Sequence, residues 1–250
     1  MSHVYKTQIF AHRGANREAA ENTQAAFDAA LNYAIDGIET DVQLSRDDVT
    51  VLWHDDKLEK IGHPDKHVDD FEYAQLQEMN VANHFFANAS PESFFQLQSF
   101  LDRYRERCRL LLEIKCYEGE LPERQKIKVQ QTLSMVGAVT GNEIMVSSFH
   151  LPSLIYAREC SPDFLIVYNF EPEQNLAKAK EALAAHSFLH GLCVHISTLD
   201  AAMVQLLRDQ NKQIAVYTCN SEEEINTALQ LGVDILITDF PQKALQLRDH

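Results

Sequence analysis

The sequence is poor in positive charge. Its 22 lysines and arginines face 37 aspartates and glutamates, a formal net charge of −15. Such a surface repels nucleic acid and anionic membrane, whose partners use basic residues to neutralise phosphates. Nucleic acid is therefore not an expected partner. A small phosphate-bearing substrate stays compatible if the site supplies its own positive charge, as a bound metal ion would. Long apolar runs are also lacking: no stretch approaches the roughly 18 residues that suggest a membrane span, so no integral membrane segment is expected. Met1 to Gln8 is short and polar and lacks the pattern of a signal peptide. Cysteine is scarce and odd in number, at Cys108, Cys116, Cys160, Cys193 and Cys219, with no CxxC spacing. That pattern argues for free thiols in a reducing compartment and a cytoplasmic location. No internal repeat, low-complexity tract or linker divides the chain, so residues 1–250 are expected to form one domain.

What is present is an alternation of short apolar runs with segments of helical period. Candidate strands are Ile9–His12, Gly37–Leu44, Val49–His54, Leu110–Lys115, Ile144–Ser148, Phe164–Asn169, Gly191–Ile196, Gln213–Cys219 and Ile235–Asp239. Between them lie amphipathic stretches; Phe27, Ala30, Leu31, Ala34 and Ile35 share one face of a helix that Asn22 could cap. Strand–helix alternation with short loops implies an α/β fold with a parallel sheet inside a layer of helices. Nine strands are one too many for an eight-stranded barrel. Only Ser45, Arg46, Asp47 and Asp48 separate the second and third, enough for a hairpin but too few for a parallel crossover. The third strand should fold back antiparallel on the second, leaving the eight parallel strands of a (β/α)8 TIM barrel. Residues 56–90 have no clear period and read as an insertion over the barrel mouth, followed by a helix over roughly Glu92 to Arg107.

Barrel enzymes place their chemistry at the C-terminal ends of the strands. Here those ends carry Ala11-His12-Arg13-Gly14, Ile38-Glu39-Thr40-Asp41-Val42 and Leu112-Glu113-Ile114-Lys115. Residues two apart on a strand point to one face, so Glu39 projects with Asp41, and Glu113 with Lys115. Three carboxylates converging on one mouth repel one another, and a divalent cation relieves that repulsion. Oxygen ligation without cysteine favours magnesium or calcium over zinc. A hairpin turn centred between Arg46 and Asp47 sets His54 opposite Glu39, with His12 on the neighbouring first strand. Two histidines there suit general acid and base work near neutral pH. Singly, each group has a structural alternative: a hydrogen-bonded histidine, a Glu–Lys ion pair, an alternating E-x-D strand. Trp53 could line the site or pack beneath the insertion, and Phe149 with Tyr217 could wall it.

The ordered set Ala11-His12-Arg13-Gly14, Glu21-Asn22-Thr23, Gly37-Ile38-Glu39-Thr40-Asp41-Val42 and His54-Asp55 resembles the signature of the glycerophosphodiester phosphodiesterase family. So do Leu112-Glu113-Ile114-Lys115, Ser147-Ser148-Phe149 and the closing Gly232-Val233-Asp234 through Thr238-Asp239-Phe240-Pro241. The resemblance spans nearly the whole chain. It implies a metal-dependent barrel enzyme that hydrolyses small glycerophosphodiesters to glycerol 3-phosphate and an alcohol. By position it implies His12 and His54 as the acid/base pair, Glu39, Asp41 and Glu113 as ligands of one divalent cation, and Arg13 and Lys115 as phosphate-binding groups. It also implies attack by the glycerol's own adjacent hydroxyl, giving a cyclic phosphate that water opens. The chain departs from the family pattern at Ala20, where proline is usual, at Lys60, where arginine is common, and at Tyr217, where tryptophan is usual. Related readings are a lysophospholipase D-like or phospholipase C-like phosphodiesterase, and a barrel that binds a phosphodiester without cleaving it.

Overall fold

The computed structural model describes residues 6–85, 90–137 and 144–250. Eight parallel strands form its centre: β1 (Gln8–His12), β2 (Gly37–Leu44), β4 (Arg109–Ile114), β5 (Ile144–Ser148), β6 (Leu165–Asn169), β7 (Gly191–His195), β8 (Gln213–Tyr217) and β9 (Ile235–Thr238). β1 pairs with β2 on one side and β9 on the other, which closes the barrel. These strands are buried on both faces, so they read as near-continuous apolar runs. Alternation still sorts them. Phe10, Leu111, Met145, Val167, Cys193, Ala215, Ile235 and Ile237 fill the interior. Their neighbours Ile9, Leu110, Leu112, Ile166, Leu192 and Leu236 face the helices. Gly37 makes the interior packing possible, because a Cβ there would lie 2.5 Å from the Phe10 ring.

The outer layer comprises α1 (Gln24–Ala30), α3 (Leu97–Tyr104), α4 (Pro122–Val136), α5 (Leu151–Cys160), α6 (Leu176–Ala185), α7 (Ala201–Asp209), α8 (Glu222–Leu231) and α9 (Pro241–Asp249). α8 shows how local sequence fixes its bounds. Ser221 and Glu224 form a capping box at its start, and Gly232 ends it at φ 71°. α3 is shorter than the expected helix over Glu92 to Arg107, because residues 92–96 are not helical and Gln96 forms a bridge with Val51.

The surplus strand β3 (Thr50–Leu52) does run antiparallel to β2, but its register differs from expectation. Val42 pairs with Leu52 and Leu44 with Thr50, which centres the turn on Asp47. Val49 is drawn into the loop: its carbonyl accepts from Ser45 N and its amide donates to Ser45 Oγ, while Asp48 adopts φ 63°. The ladder stops at Leu52, so His54 does not sit on a strand opposite Glu39. Beyond it lie two 3₁₀ turns, Glu59–Ile61 and Val68–Asp70, and the short α2 (Tyr73–Gln77). This insertion has its own apolar cluster of Val51, Trp53, Leu58, Val68, Leu76, Val81 and Phe94. Residues 86–89 of the expected 56–90 segment lie outside the described residues, as do residues 1–5 of the N-terminal segment. Among the described residues, no helix is long and apolar enough to cross a membrane.

Candidate active site

Glu39 and Asp41 on β2 and Glu113 on β4 belong to the inward-pointing set, at the C-terminal end of the barrel. Parallel pairing sets Asp41 beside Glu113. Oxygens of all three carboxylates lie within 4.8 Å of one another. The three side chains are nearly buried, and Glu39 Oε2 and Asp41 Oδ1 have no hydrogen-bond partner. Orphaned buried carboxylate oxygens are costly. Burial, then repulsion from Asp41 and Glu113, pushes Glu39 well above the usual carboxylate range. Asp41 goes the other way: burial works against its charge, but Arg13, His54 and Lys115 outweigh it and hold it low. A compact all-oxygen cluster with orphaned oxygens fits a hard divalent cation.

Both histidines have Nδ1 held by a carboxylate. His12, at the end of β1, has Nδ1 2.6 Å from Asp239 Oδ1, and its Nε2 lies 3.8 Å from Glu39 Oε2. Asp239 is fixed by Asn16, Arg17 and Asn220 as well. Burial and the charge of Arg13 lower the His12 pKa, and Asp239 only partly offsets them. His54 has Nδ1 2.7 Å from Asp55 Oδ1. Burial raises Asp55, yet bonds to His54 and Lys60 hold it low; Asp239 is held low in the same way, chiefly by His12 against its own burial. Ionised carboxylates only accept, so each Nδ1 carries the proton and each Nε2 is free to exchange one.

Arg13 follows β1 in the left-handed region at φ 57°. Its Nη1 donates to Glu21 at 3.0 Å, and its Nε lies 3.1 Å from Asp41 Oδ2 as an ion pair not aligned for a hydrogen bond. Lys115 Nζ is 2.8 Å from Glu113 and 3.7 Å from Asp41. Burial lowers the pKa of both cations, but the carboxylates beside them more than reverse it. Asn22 does not cap α1; Thr23 does, accepting from Ala26 N. Asn22 instead sits at φ 58°, donates to Asp41 Oδ2 at 2.9 Å and accepts from Thr40. Asn169 at the end of β6 donates to Glu113 at 3.1 Å.

The seven residues singled out in the sequence thus lie together at one end of the barrel. Sequence reading assigns no site role to Asp239, Asn169 or Asp55, and reads Asn22 only as a helix cap. Position at a strand end was an available signal for Asp239 and Asn169. A cavity of about 130 Å³ is lined by His12, Arg13, Glu39, His54, Glu113 and Asn169, with Phe149 and Tyr217 forming one wall, their ring centroids 5.6 Å apart. It shares His54, Glu113, Phe149 and Tyr217 with a wider groove of about 850 Å³. Trp53 is 2% exposed and packs against Phe94 within the insertion rather than lining the cavity.

A closed barrel with polar groups gathered at the C-terminal ends of its strands has the layout of a barrel enzyme. The chain belongs to the glycerophosphoryl diester phosphodiesterase family, whose model matches residues 12–243. A glycerophosphodiester phosphodiesterase of Bacillus altitudinis is 30% identical over 254 residues, covering 97% of this chain and 98% of that protein. A mouse lysophospholipase D is 23% identical over 274 residues, covering 95% of this chain and 81% of its own. Among solved structures, a phosphodiesterase of Oleispira antarctica in complex with the product sn-glycerol-3-phosphate matches with a TM-score of 0.85 at 24% identity, covering 98% of each chain. A glycerophosphodiester phosphodiesterase of Thermotoga maritima matches with a TM-score of 0.77 at 21% identity, covering 96% of this chain and 98% of that one.

Proposed function

We propose that the protein hydrolyses small glycerophosphodiesters, such as glycerophosphocholine and glycerophosphoethanolamine, to sn-glycerol 3-phosphate and an alcohol. The observation that carries this reading is the pair of Nδ1-anchored histidines flanking three buried carboxylates with orphaned oxygens. Glu39, Asp41 and Glu113 would hold one magnesium or calcium ion, which when bound supplies positive charge to a phosphate oxygen and acidifies a nearby hydroxyl. Arg13 can fork onto phosphate oxygens, and Lys115 adds a point charge. One histidine takes the proton of the attacking hydroxyl at Nε2, and the other gives a proton to the leaving alcohol. The Phe149–Tyr217 wall would pack against the glycerol carbons.

The groove beyond the cavity supports a small polar alcohol over an acyl chain. Asp56, Glu118 and Glu171 line it, with Glu120 paired to Lys128 and Lys115 to Glu113. That surface favours a cationic headgroup and disfavours a lipid tail. The low overall basic charge counts against action at an anionic membrane. We take residues 1–250 as one domain acting in the cytoplasm, in keeping with five free cysteines.

The test is release of glycerol 3-phosphate from both substrates, followed with a coupled dehydrogenase. Activity should require magnesium or calcium, vanish with chelator and return on adding metal. Full activity in the metal-free protein would sink the assignment of the three carboxylates. No release under any condition would leave a barrel that binds a phosphodiester without cleaving it.

A further inference from the structure

Beside the carboxylate cluster lies a second group that resembles a metal site. Glu21, His54 and Asp55 present ligand atoms within 4.8 Å of one another. The space between the two acids is taken by a side chain. Lys60 Nζ lies 2.5 Å from Glu21 Oε1 and 3.0 Å from Asp55 Oδ2. Each acid spends its other oxygen on a site residue: Glu21 Oε2 accepts from Arg13 at 3.0 Å, and Asp55 Oδ1 pairs with His54 Nδ1 at 2.7 Å. The result is one unbroken ionic row, Arg13–Glu21–Lys60–Asp55–His54.

The insertion holds the centre of that row in place. Lys60 sits in the 3₁₀ turn Glu59–Ile61, which Gly62 closes at φ 93°. Its ammonium stands 4.3 Å from the centre of the buried Trp53 ring. Such a cation–aromatic contact on a fixed ring restricts an otherwise flexible side chain. Without the ammonium, Glu21 and Asp55 would face each other as like charges, and Asp55 would lose the partner opposite His54.

We propose that Lys60 is a positioning residue, a built-in cation that ties His54 to Arg13 and sets the spacing between the proton-transfer group and the phosphate-binding group. This rests on the reading of those two residues given under the proposed function. It also gives the insertion a catalytic purpose, since the insertion carries the lysine and packs around the ring beneath it.

Steady-state kinetics on glycerophosphocholine tests the proposal. A displacement of about 1 Å at a reacting group can cost on the order of 10²-fold, so Lys60→Met should lower kcat by about 10–100-fold. KM should move much less, and Lys60→Arg should restore most of the loss because it keeps the charge. If Lys60 acts through Asp55, the double variant Lys60→Met with Asp55→Asn should be no slower than the worse single variant. Should Lys60→Met fail to fold, Lys60→Gln takes the same measurements. Wild-type kcat in the neutral variant, no rescue by arginine, or multiplicative losses in the double variant would each overturn the proposal. His54→Ala separates the two levels. If it is fully active, the reading beneath fails; if it is inactive while Lys60→Met is not, only the role of Lys60 fails.

Discussion

The two histidines proposed as the proton-transfer pair are held by different physics. His12 is on a barrel strand, and its side chain is 16% exposed. Its partner Asp239 comes from the adjacent strand end, where β1 and β9 pair Ala11 with Thr238. Backbone register brings the carboxylate to the ring, and Asn16, Arg17 and Asn220 fix it there. His54 is 33% exposed, lies past the end of β3, and takes as partner its own neighbour Asp55. The ladder ends before it; Gln43 on β2 donates to the carbonyls of Trp53 and Asp55 on either side, and Lys60 of the insertion pairs with Asp55. One half of the site thus rests on strand pairing, the other on side chains of β2 and of an insertion with a small core of its own.

The largest expected effect tests whether both halves matter. His12→Ala and His54→Ala should each reduce turnover by about 10²–10⁴-fold, the usual worth of general acid–base catalysis; near-normal turnover in either removes that residue from the mechanism. Next come the carboxylates behind them. Asp239→Asn should cost on the order of 10–100-fold, as partners that orient a functional imidazole do. Asp55→Asn should cost less, because its side chain is 39% exposed and solvent can replace part of the interaction. Equal losses, read from kcat at saturating substrate, would erase the distinction between the halves.

Stability separates the regions next. Phe10 in the barrel interior and Trp53 in the cluster beneath the insertion are both buried, and truncating either to alanine should cost about 3–5 kcal/mol. Phe10→Ala should lower the cooperative melting transition of the barrel. Trp53→Ala should instead raise hydrogen exchange over residues 58–81 and spare the barrel strands; loss of protection throughout the molecule would show that the insertion is no separate unit. The smallest effect is on pH. Burial, then Asp41 and Glu113, raises Glu39, so in the folded protein it keeps its proton to higher pH than an ordinary glutamate. A cation must displace that proton, so magnesium affinity should rise with pH until Glu39 is ionised and then level off. Calorimetry showing no dependence on pH would place the cation elsewhere.

Much of the barrel is legible in the sequence. Strands buried on both faces are apolar runs, and a four-residue loop between two of them admits only a hairpin. The carboxylates are legible for a related reason: charge at alternate positions of an apolar strand stands out. The hairpin register is not, because it depends on Ser45 bonding Val49 at both N–H and C=O and on Asp48 turning left-handed. Asn22 reads as a helix cap because Asn is good at that position, but tertiary contact with Asp41 and Thr40 claims its side chain. Asp239 is the partner of a residue 227 positions away, and no local pattern reports such a contact. Lys60 lies in a segment without period, so only its distances to two acids reveal it.

The contact between His12 and Asp239 joins the first barrel strand to the last. A chain emerging from the ribosome has Glu39, Asp41 and Glu113 long before Asp239, so Nδ1 of His12 has no carboxylate to hold it until β9 is made and closes the barrel. The strand that closes the barrel thereby also brings the partner that orients His12. On the proposed mechanism, a chain ended before β9 would hold the three carboxylates in its sequence but neither a closed barrel nor an anchored His12.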